Sequence, residues 1–289
     1  MTSAAKAAPV RRIGFAYNPT IPAASALSER AGRWLDSRGV AHWAAPAADR
    51  ATLHTELPTS DVLVVIGGDG TFLRGARAVI DDDVPMLGIN VGKVGFLSKV
   101  EAGELERVLG QLLAGEFAIE HRMALEGRIR RADGDATDVG RLLALNDVVV
   151  ARGSLARVVR LEVSIDSSHL ATFVADGLVV ASPTGSTGYS FSAGGPILDP
   201  TARNLVVTPI AGYLTTIRSV VVGPSVTVTC RVLDAHEALV SIDGREDLPV
   251  SVGDTVEVRA IDRPIRLVEP NGSVPFWDLF RHKVELLPS

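Results

Sequence analysis

Asp61-Val62-Leu63-Val64-Val65-Ile66-Gly67-Gly68-Asp69-Gly70-Thr71 decides how the rest of the chain is read. The run from Asp61 to Ile66 is apolar after its first residue and short, as a buried strand is. Three glycines then fall in four positions, with one carboxylate among them. Phe72 to Ile80 has the pattern of a helix. A strand that ends in glycines and turns into a helix leaves a concave loop of backbone N–H groups. Anions settle there, because no side chain blocks the approach and the helix N-terminus carries partial positive charge. Gly67, Gly68, Gly70 and Thr71 are therefore the candidates for holding a donor's phosphates. Asp69 would repel such an anion unless it handles a proton or shares a cation with it, which is the logic of phosphoryl transfer. Arg74, read as lying on the first turn of the helix, either clamps a phosphate oxygen or is a solvated helix residue.

The loop is neither of two common phosphate motifs. From Gly68 to Leu73 the third glycine of a dinucleotide fingerprint is missing. Gly88 to Lys93 has the wrong spacing for a Walker loop, and Val94 stands where Ser or Thr would hold magnesium.

Outward from this loop, strands and helices alternate. Arg12 to Tyr17, His42 to Ala44 and Pro85 to Ile89 read as strands, and Ala23 to Ser37 and Glu104 to Leu113 as helices. That alternation predicts a parallel, Rossmann-like α/β domain over residues 10–116. Past Gly115 the period shortens to two. Strand-like runs follow at 142–150, 158–165, 170–175, 178–181, 205–207, 226–233, 238–242 and 255–261, without a long helix. Residues 117–268 are expected to form an all-β sandwich. Residues 1–9 read as a disordered tail. Residues 269–289 read as a segment that returns to the first domain, with Phe276 to Leu287 as a strand or helix.

Composition limits the function. The 289 residues are 46% apolar and 22% charged, enough to build one or two cores. A net charge of -5 gives no basic nucleic-acid footprint. No run is long enough to span a membrane and the N-terminus is not a signal peptide, so a cytoplasmic protein is expected. Cys230 is the only cysteine and sits on the apolar face of an alternating strand, as an inert core thiol does. The six histidines are scattered, so no metal cluster of side chains is expected.

Two more stretches are too polar for their surroundings. Asn146-Asp147 interrupts the apolar run from Leu142 to Val150. Either it is a strand edge or bulge, or it faces a ligand, where an amide and a carboxylate suit vicinal hydroxyls. Asp176-Gly177, followed by Ser182 to Gly195 with its many hydroxyls and glycines and Tyr189, suits a nucleotide base. The alternative is a long surface loop, although its apolar flanks suggest that it is pinned to a core. Thr184 to Gly188 is like a nucleophile elbow, but Thr184 replaces the first glycine and no hydrolase partner is evident.

Taken in order, Gly67 to Thr71, Asn90 to Leu97, Asn146-Asp147, Asp176 to Tyr189, Ser192 to Pro196 and Asp243-Gly244 resemble the successive blocks of the NAD kinases. The first block alone also resembles phosphofructokinases and diacylglycerol-type lipid kinases; the block from Asp176 to Pro196 makes the likeness specific. The resemblance implies transfer of the terminal phosphoryl of ATP, or polyphosphate in its place, to the 2′-hydroxyl of the adenosine ribose of NAD, with Mg2+ or another divalent cation. It implies Asp69 as the proton acceptor, with Gly70 beside it. Asn146 and Asp147 would hold the adenosine, and Asp176 would lie near the nicotinamide. Thr187, Gly188, Tyr189, Ser190, Phe191 and Ser192 would form the adenine pocket, with weaker contacts at Arg157 and Ala211. It also implies a homodimer or homotetramer with NAD between domains. Departures from the family pattern are Asp147 for the usual glutamate, Gly188 for alanine, and Arg245 where glutamine is frequent. Rival readings are a lipid kinase with the same loop and a non-catalytic NAD(P)-binding sensor.

Overall fold

The computed structural model describes residues 9–92, 95–134, 141–154, 157–213 and 216–285. Most of the N-terminal tail, Lys93 and Val94 of the Asn90 block and the last four residues lie outside them. The chain divides into two compact units, one of residues up to His121 together with Ile265 onward, the other Arg122–Pro264.

The first unit runs β1 (Arg12–Tyr17), α1 (Pro22–Asp36), β2 (Ala41–Pro46), α2 (Arg50–Glu56), β3 (Val62–Ile66), α3 (Asp69–Val79), β4 (Met86–Asn90), β5 (Val100–Glu101), α4 (Leu105–Ala114) and β6 (Phe117–Arg122). Every residue of β3 and of β4 is buried. That is the signature of parallel strands covered on both faces, and it is why both read as short unbroken apolar runs. β1 pairs in parallel with β2 and β3, and β3 in parallel with β4. Leu27, Ala31 and Leu35 of α1 and Leu105, Val108, Leu109 and Leu112 of α4 join Phe15, Val64 and Ile66 in one core. Gly75 lets α3 close onto the sheet: a Cβ there would come within 2.8 Å of the Val65 side chain.

The second unit contains β7 (Leu125–Arg130), β8 (Leu142–Ala144), β9 (Asp147–Arg152), β10 (Val159–Ile165), β11 (Ser168–Ala175), β12 (Gly177–Ala181), the one-turn α5 (Tyr189–Ser192), β13 (Leu205–Ile210), β14 (Val220–Val222), β15 (Thr227–Asp234), β16 (Ala238–Ile242), β17 (Arg245–Val250) and β18 (Thr255–Ala260). They form two six-stranded sheets, in the orders β11-β10-β15-β18-β7-β8 and β14-β13-β12-β9-β16-β17. Inward residues of both sheets, among them Leu161, Phe173, Val150, Val180, Val207, Val228 and Val258, share one core, which is the expected sandwich. Cys230 lies in that core, and burial pushes its thiol up to about 12, which keeps it protonated.

β19 (Ile265–Pro270) and α6 (Phe276–Glu285) complete the chain. β19 pairs in parallel with β4 and takes its place in the first unit's sheet, whose order is β2-β1-β3-β4-β19-β6. The boundary read at 268 therefore falls inside a strand: the return to the first unit begins at Ile265. The alternation of Ile265-Arg266-Leu267 fits a strand of either unit, and only its pairing assigns it. Among the described residues, no helix is long and apolar enough to cross a membrane.

Candidate active site

In the first unit, α3 begins three residues earlier than the sequence reading placed it. Gly68 is extended and caps the helix, and its carbonyl accepts from the N–H groups of Thr71 (2.9 Å) and Phe72 (3.1 Å). Asp69 is thus the first helical residue, where a negative side chain suits the helix dipole. Arg74 falls in the second turn and is exposed, which corrects its placement on the first. The anion loop is also narrower than the glycine count suggested. Gly67 N–H donates to the Ile89 carbonyl (2.9 Å) and so continues the sheet. Gly67 acts through its lack of a side chain, since a Cβ there would approach the Thr71 Oγ1 to 2.5 Å. Gly68 opens onto free space on its Cβ side.

The Asp69 carboxylate is built into its surroundings. Oδ2 accepts from the Phe96 N–H (2.9 Å), and Oδ1 from the N–H groups of Leu97 (3.1 Å) and Ser98 (3.2 Å). Gly95 lies so close that a Cβ there would collide with the carboxylate. A carboxylate offers about four lone-pair directions. Among the described residues three are taken, all by successive amides, so one direction, on Oδ2, remains for a hydroxyl or a cation. The bonds are to a charged acceptor and so stronger than neutral ones. They fix the carboxylate's position without fixing what it meets.

The second unit has a matching arrangement. The apparent long strand from Leu142 to Val150 is two strands: β8 belongs to one sheet and β9 to the other. Asn146 lies where the chain crosses between them, and this crossing accounts for the polar interruption. The amides at the crossing are taken by Asp243, a buried residue at φ 51° in the β16–β17 turn. Its carboxylate accepts from the N–H groups of Leu145 (3.2 Å), Asn146 (2.8 Å) and Asp147 (3.2 Å). Asp243 N–H in turn donates to the Asp147 carbonyl (3.0 Å). Asp147 itself is only 5% exposed. Burial, and then the negative charge of Asp243, push its carboxyl up to about 7.

The hydroxyl-rich stretch folds over the same crossing. Ser182 N–H donates to the Asn146 carbonyl (2.8 Å), and Ser182 Oγ donates to the Leu145 carbonyl. Gly185 packs against Asn146 so tightly that a Cβ would overlap its backbone. Ser186 Oγ donates to the Pro183 carbonyl (2.6 Å) and accepts from the Leu198 N–H (3.0 Å), so it pins the loop and is no nucleophile. Ser190 is buried, with its Oγ 3.3 Å from Thr208 Oγ1. Tyr189 and Phe191 are 47% and 45% exposed, and Ser192 is exposed. Thr187 is half-buried, its Oγ1 donating to the Thr184 carbonyl (3.2 Å).

The sequence-read nucleotide residues thus gather at two ends of the same strands. Asp147 pairs with Ala181 at one end of β9 and β12, and Ala151 pairs with Gly177 at the other. Four residues at a rise of about 3.3 Å separate these ends by about 13 Å. Asn146, Asp147 and Thr187–Gly188 lie at the first end. Asp176 lies at the second, where Arg152 Nε meets its Oδ1 at 2.8 Å and Nη2 its Oδ2 at 3.2 Å. Asp176 N–H also donates to the Ile210 carbonyl (2.9 Å), next to Ala211, which is exposed at φ 47°. Arg157 is exposed. The sequence reading gave no role to Asp243 or to the amides of Phe96–Ser98. Their signal was present only as Asp-Gly after a strand and as a glycine-bearing block, neither of which says which amides a carboxylate will meet. Among the described residues, no three acidic, His or Cys side chains cluster to hold a metal.

Known proteins resemble this chain over nearly its whole length. The ATP-NAD kinase N-terminal domain model matches residues 22–117 and the C-terminal domain model residues 145–270. The NAD kinase of Syntrophotalea carbinolica is 36% identical over 95% of this chain and 98% of its own. That of Gemmatimonas aurantiaca is 41% identical over 83% and 81%. Among solved structures, yeast NADH kinase complexed with NADH superposes with a TM-score of 0.82 at 23% identity, covering 98% of this chain and 89% of its own. An NAD kinase from Archaeoglobus fulgidus in complex with ATP gives 0.76 at 23% identity, covering 96% and 100%. With both domain models matched in order and relatives this similar over nearly their full length, the chain belongs to the NAD kinase family.

Proposed function

We propose that the chain transfers the terminal phosphoryl of ATP to the 2′-hydroxyl of the adenosine ribose of NAD, giving NADP. The observation that carries this reading is the Asp69 carboxylate, held by three successive amides at a strand-glycine-helix junction with one acceptor direction left over. Phosphoryl transfer asks the protein mainly for positioning and charge stabilisation. Asp69 orients the hydroxyl and takes its proton as the new O–P bond forms and the bond to the departing ADP breaks. The α3 N-terminus and the open side of Gly68 accept the donor phosphates. Asn146 and Asp147 hold the ribose hydroxyls, the Thr187–Ser192 segment receives the adenine, and Asp176, braced by Arg152, lies toward the nicotinamide.

A divalent cation such as Mg2+, held largely by ATP oxygens, would offset the phosphates' charge; such sites need only one or two protein carboxylates. The one open direction of Asp69 is taken by the hydroxyl, so the cation would rest on the ATP oxygens and water, with the donor loop supplying backbone N–H groups to the phosphates. The same reading makes the protein cytoplasmic and a homodimer or homotetramer, and light scattering on the purified chain tests the assembly.

The activity is tested by incubating the chain with NAD, ATP and Mg2+ and reading NADP through an NADP-specific dehydrogenase. NADP formation is expected. Tight NAD binding without NADP would replace this reading by a sensor, and phosphorylation of diacylglycerol in its stead would replace it by a lipid kinase. An arm with inorganic polyphosphate assigns the donor.

A further inference from the structure

The amides that hold Asp69 belong to a short loop, and that loop has an outer support. The Phe96 ring packs against two aromatic rings of α6, with centroids 6.0 Å from Phe276 and 6.4 Å from Phe280. Lys283 Nζ, a turn further along the helix, stands 4.8 Å over the same ring. Phe276 and Phe280 stack on each other at 6.2 Å, and Trp277 meets both edge-on at 5.0 and 6.0 Å. α6 is otherwise lightly attached. Only Leu279 among its described residues is fully buried, and Trp277 is half exposed. An exposed helix that concentrates three aromatic rings and a cation near one loop residue is more than a chain end filling a gap. Phe96 is also the residue whose N–H donates to Asp69 Oδ2, the oxygen with a direction still open. Aromatic pairs and a cation over a ring each add a modest attraction, and here they converge on one side chain.

We propose that α6 is a positioning element for the reaction: Phe276, Phe280 and Lys283 hold Phe96, and through its amide they set where the Asp69 carboxylate points. The inference rests on the reading of Asp69 as proton acceptor. Small displacements of a reacting group cost rate far more than binding. Loosening α6 should therefore lower kcat and spare KM.

The test is a double-mutant cycle on the full chain, with Phe280→Ala and Asp69→Asn singly and together, measuring kcat and both KM values. Phe280→Ala is expected to lower kcat about tenfold, with KM for NAD and ATP within about twofold. In the Asp69→Asn background the same change should cost almost nothing further, because the group it positions has gone. Phe280→Leu, which keeps apolar volume, should restore much of the loss; if Phe280→Ala does not fold, Lys283→Met, which removes the cation over the Phe96 ring, takes its place in the cycle with a smaller kcat loss of the same kind. Unchanged kcat in Phe280→Ala, a rise in KM alone, or losses that simply multiply in the double variant would each overturn the proposal. If Asp69→Asn itself keeps full activity, the fault lies with the reading of Asp69 and the proposal falls with it.

Discussion

Asp69 and Asp243 solve the same local problem in different units. Each puts one carboxylate against three consecutive backbone amides that no strand partner takes. Buried amides left without acceptors are costly, and an anionic acceptor serves three at once. Asp243→Ala should destabilise the chain by about 2–4 kcal/mol, measured by urea unfolding, and weaken NAD binding more than ATP binding, measured by calorimetry. Asp147 carries a different consequence. Its carboxyl, raised from 3.8 to about 7, stays protonated in the folded chain at pH values where the unfolded chain has released the proton. The folded state then binds more protons than the unfolded, so stability falls as pH rises from about 4 to 7. Asp147→Asn removes that penalty. Its stability relative to the unaltered chain should grow between pH 4.5 and 8; a difference that does not change with pH would contradict the cause assigned here. The sequence showed Asn146-Asp147 as too polar for its neighbours. It could not show that Asp243, almost a hundred residues later, faces it, because a charge pair formed by a turn leaves no local pattern.

At the scale of elements, β3 and β4 were legible as unbroken apolar runs and α1 and α4 by their three- and four-residue spacing, whereas α2 and β6, with polar residues along their length, carry no such pattern. The start of α3 was missed because glycine weakens any helix reading, yet Gly70 sits within its first turn. The run from Leu142 to Val150 was read as one interrupted strand, since hydrophobic pattern alone does not tell when a chain changes sheet. The stretch from Ser182 to Gly195 read correctly as pinned to a core, and its anchors are now named: Ser182, Ser186 and Ser190 turn inward, while Tyr189 and Phe191 remain in the open. Gly185 is what permits this. A methyl group there would meet the Asn146 backbone, so Gly185→Ala should cost about 1–3 kcal/mol of stability and raise the KM for NAD, with little change for ATP. An unaltered KM for NAD would show that the loop and the Asn146 crossing are not linked in binding.

At the scale of the whole molecule, the change of period after Gly115 pointed to an α/β unit followed by a β-sandwich, but it set the boundary too early: β6 (Phe117–Arg122) belongs to the first unit's sheet and the second unit begins at Arg122, because a strand's period does not say which sheet it joins. The return of the chain's end to the first unit did not follow so cleanly. β19 is an alternating strand like its neighbours, and its membership in the sheet rests on pairing with β4 at Leu267 and Met86. The chemistry depends most on a single carboxylate. The most direct measurement is kcat for NADP formation by Asp69→Asn beside the unaltered chain, with NAD affinity measured on both. General-base help is worth about 10²–10⁴-fold, so kcat should fall by that much while NAD binds nearly as before. An Asp69→Asn chain that makes NADP at the unaltered rate would contradict the account.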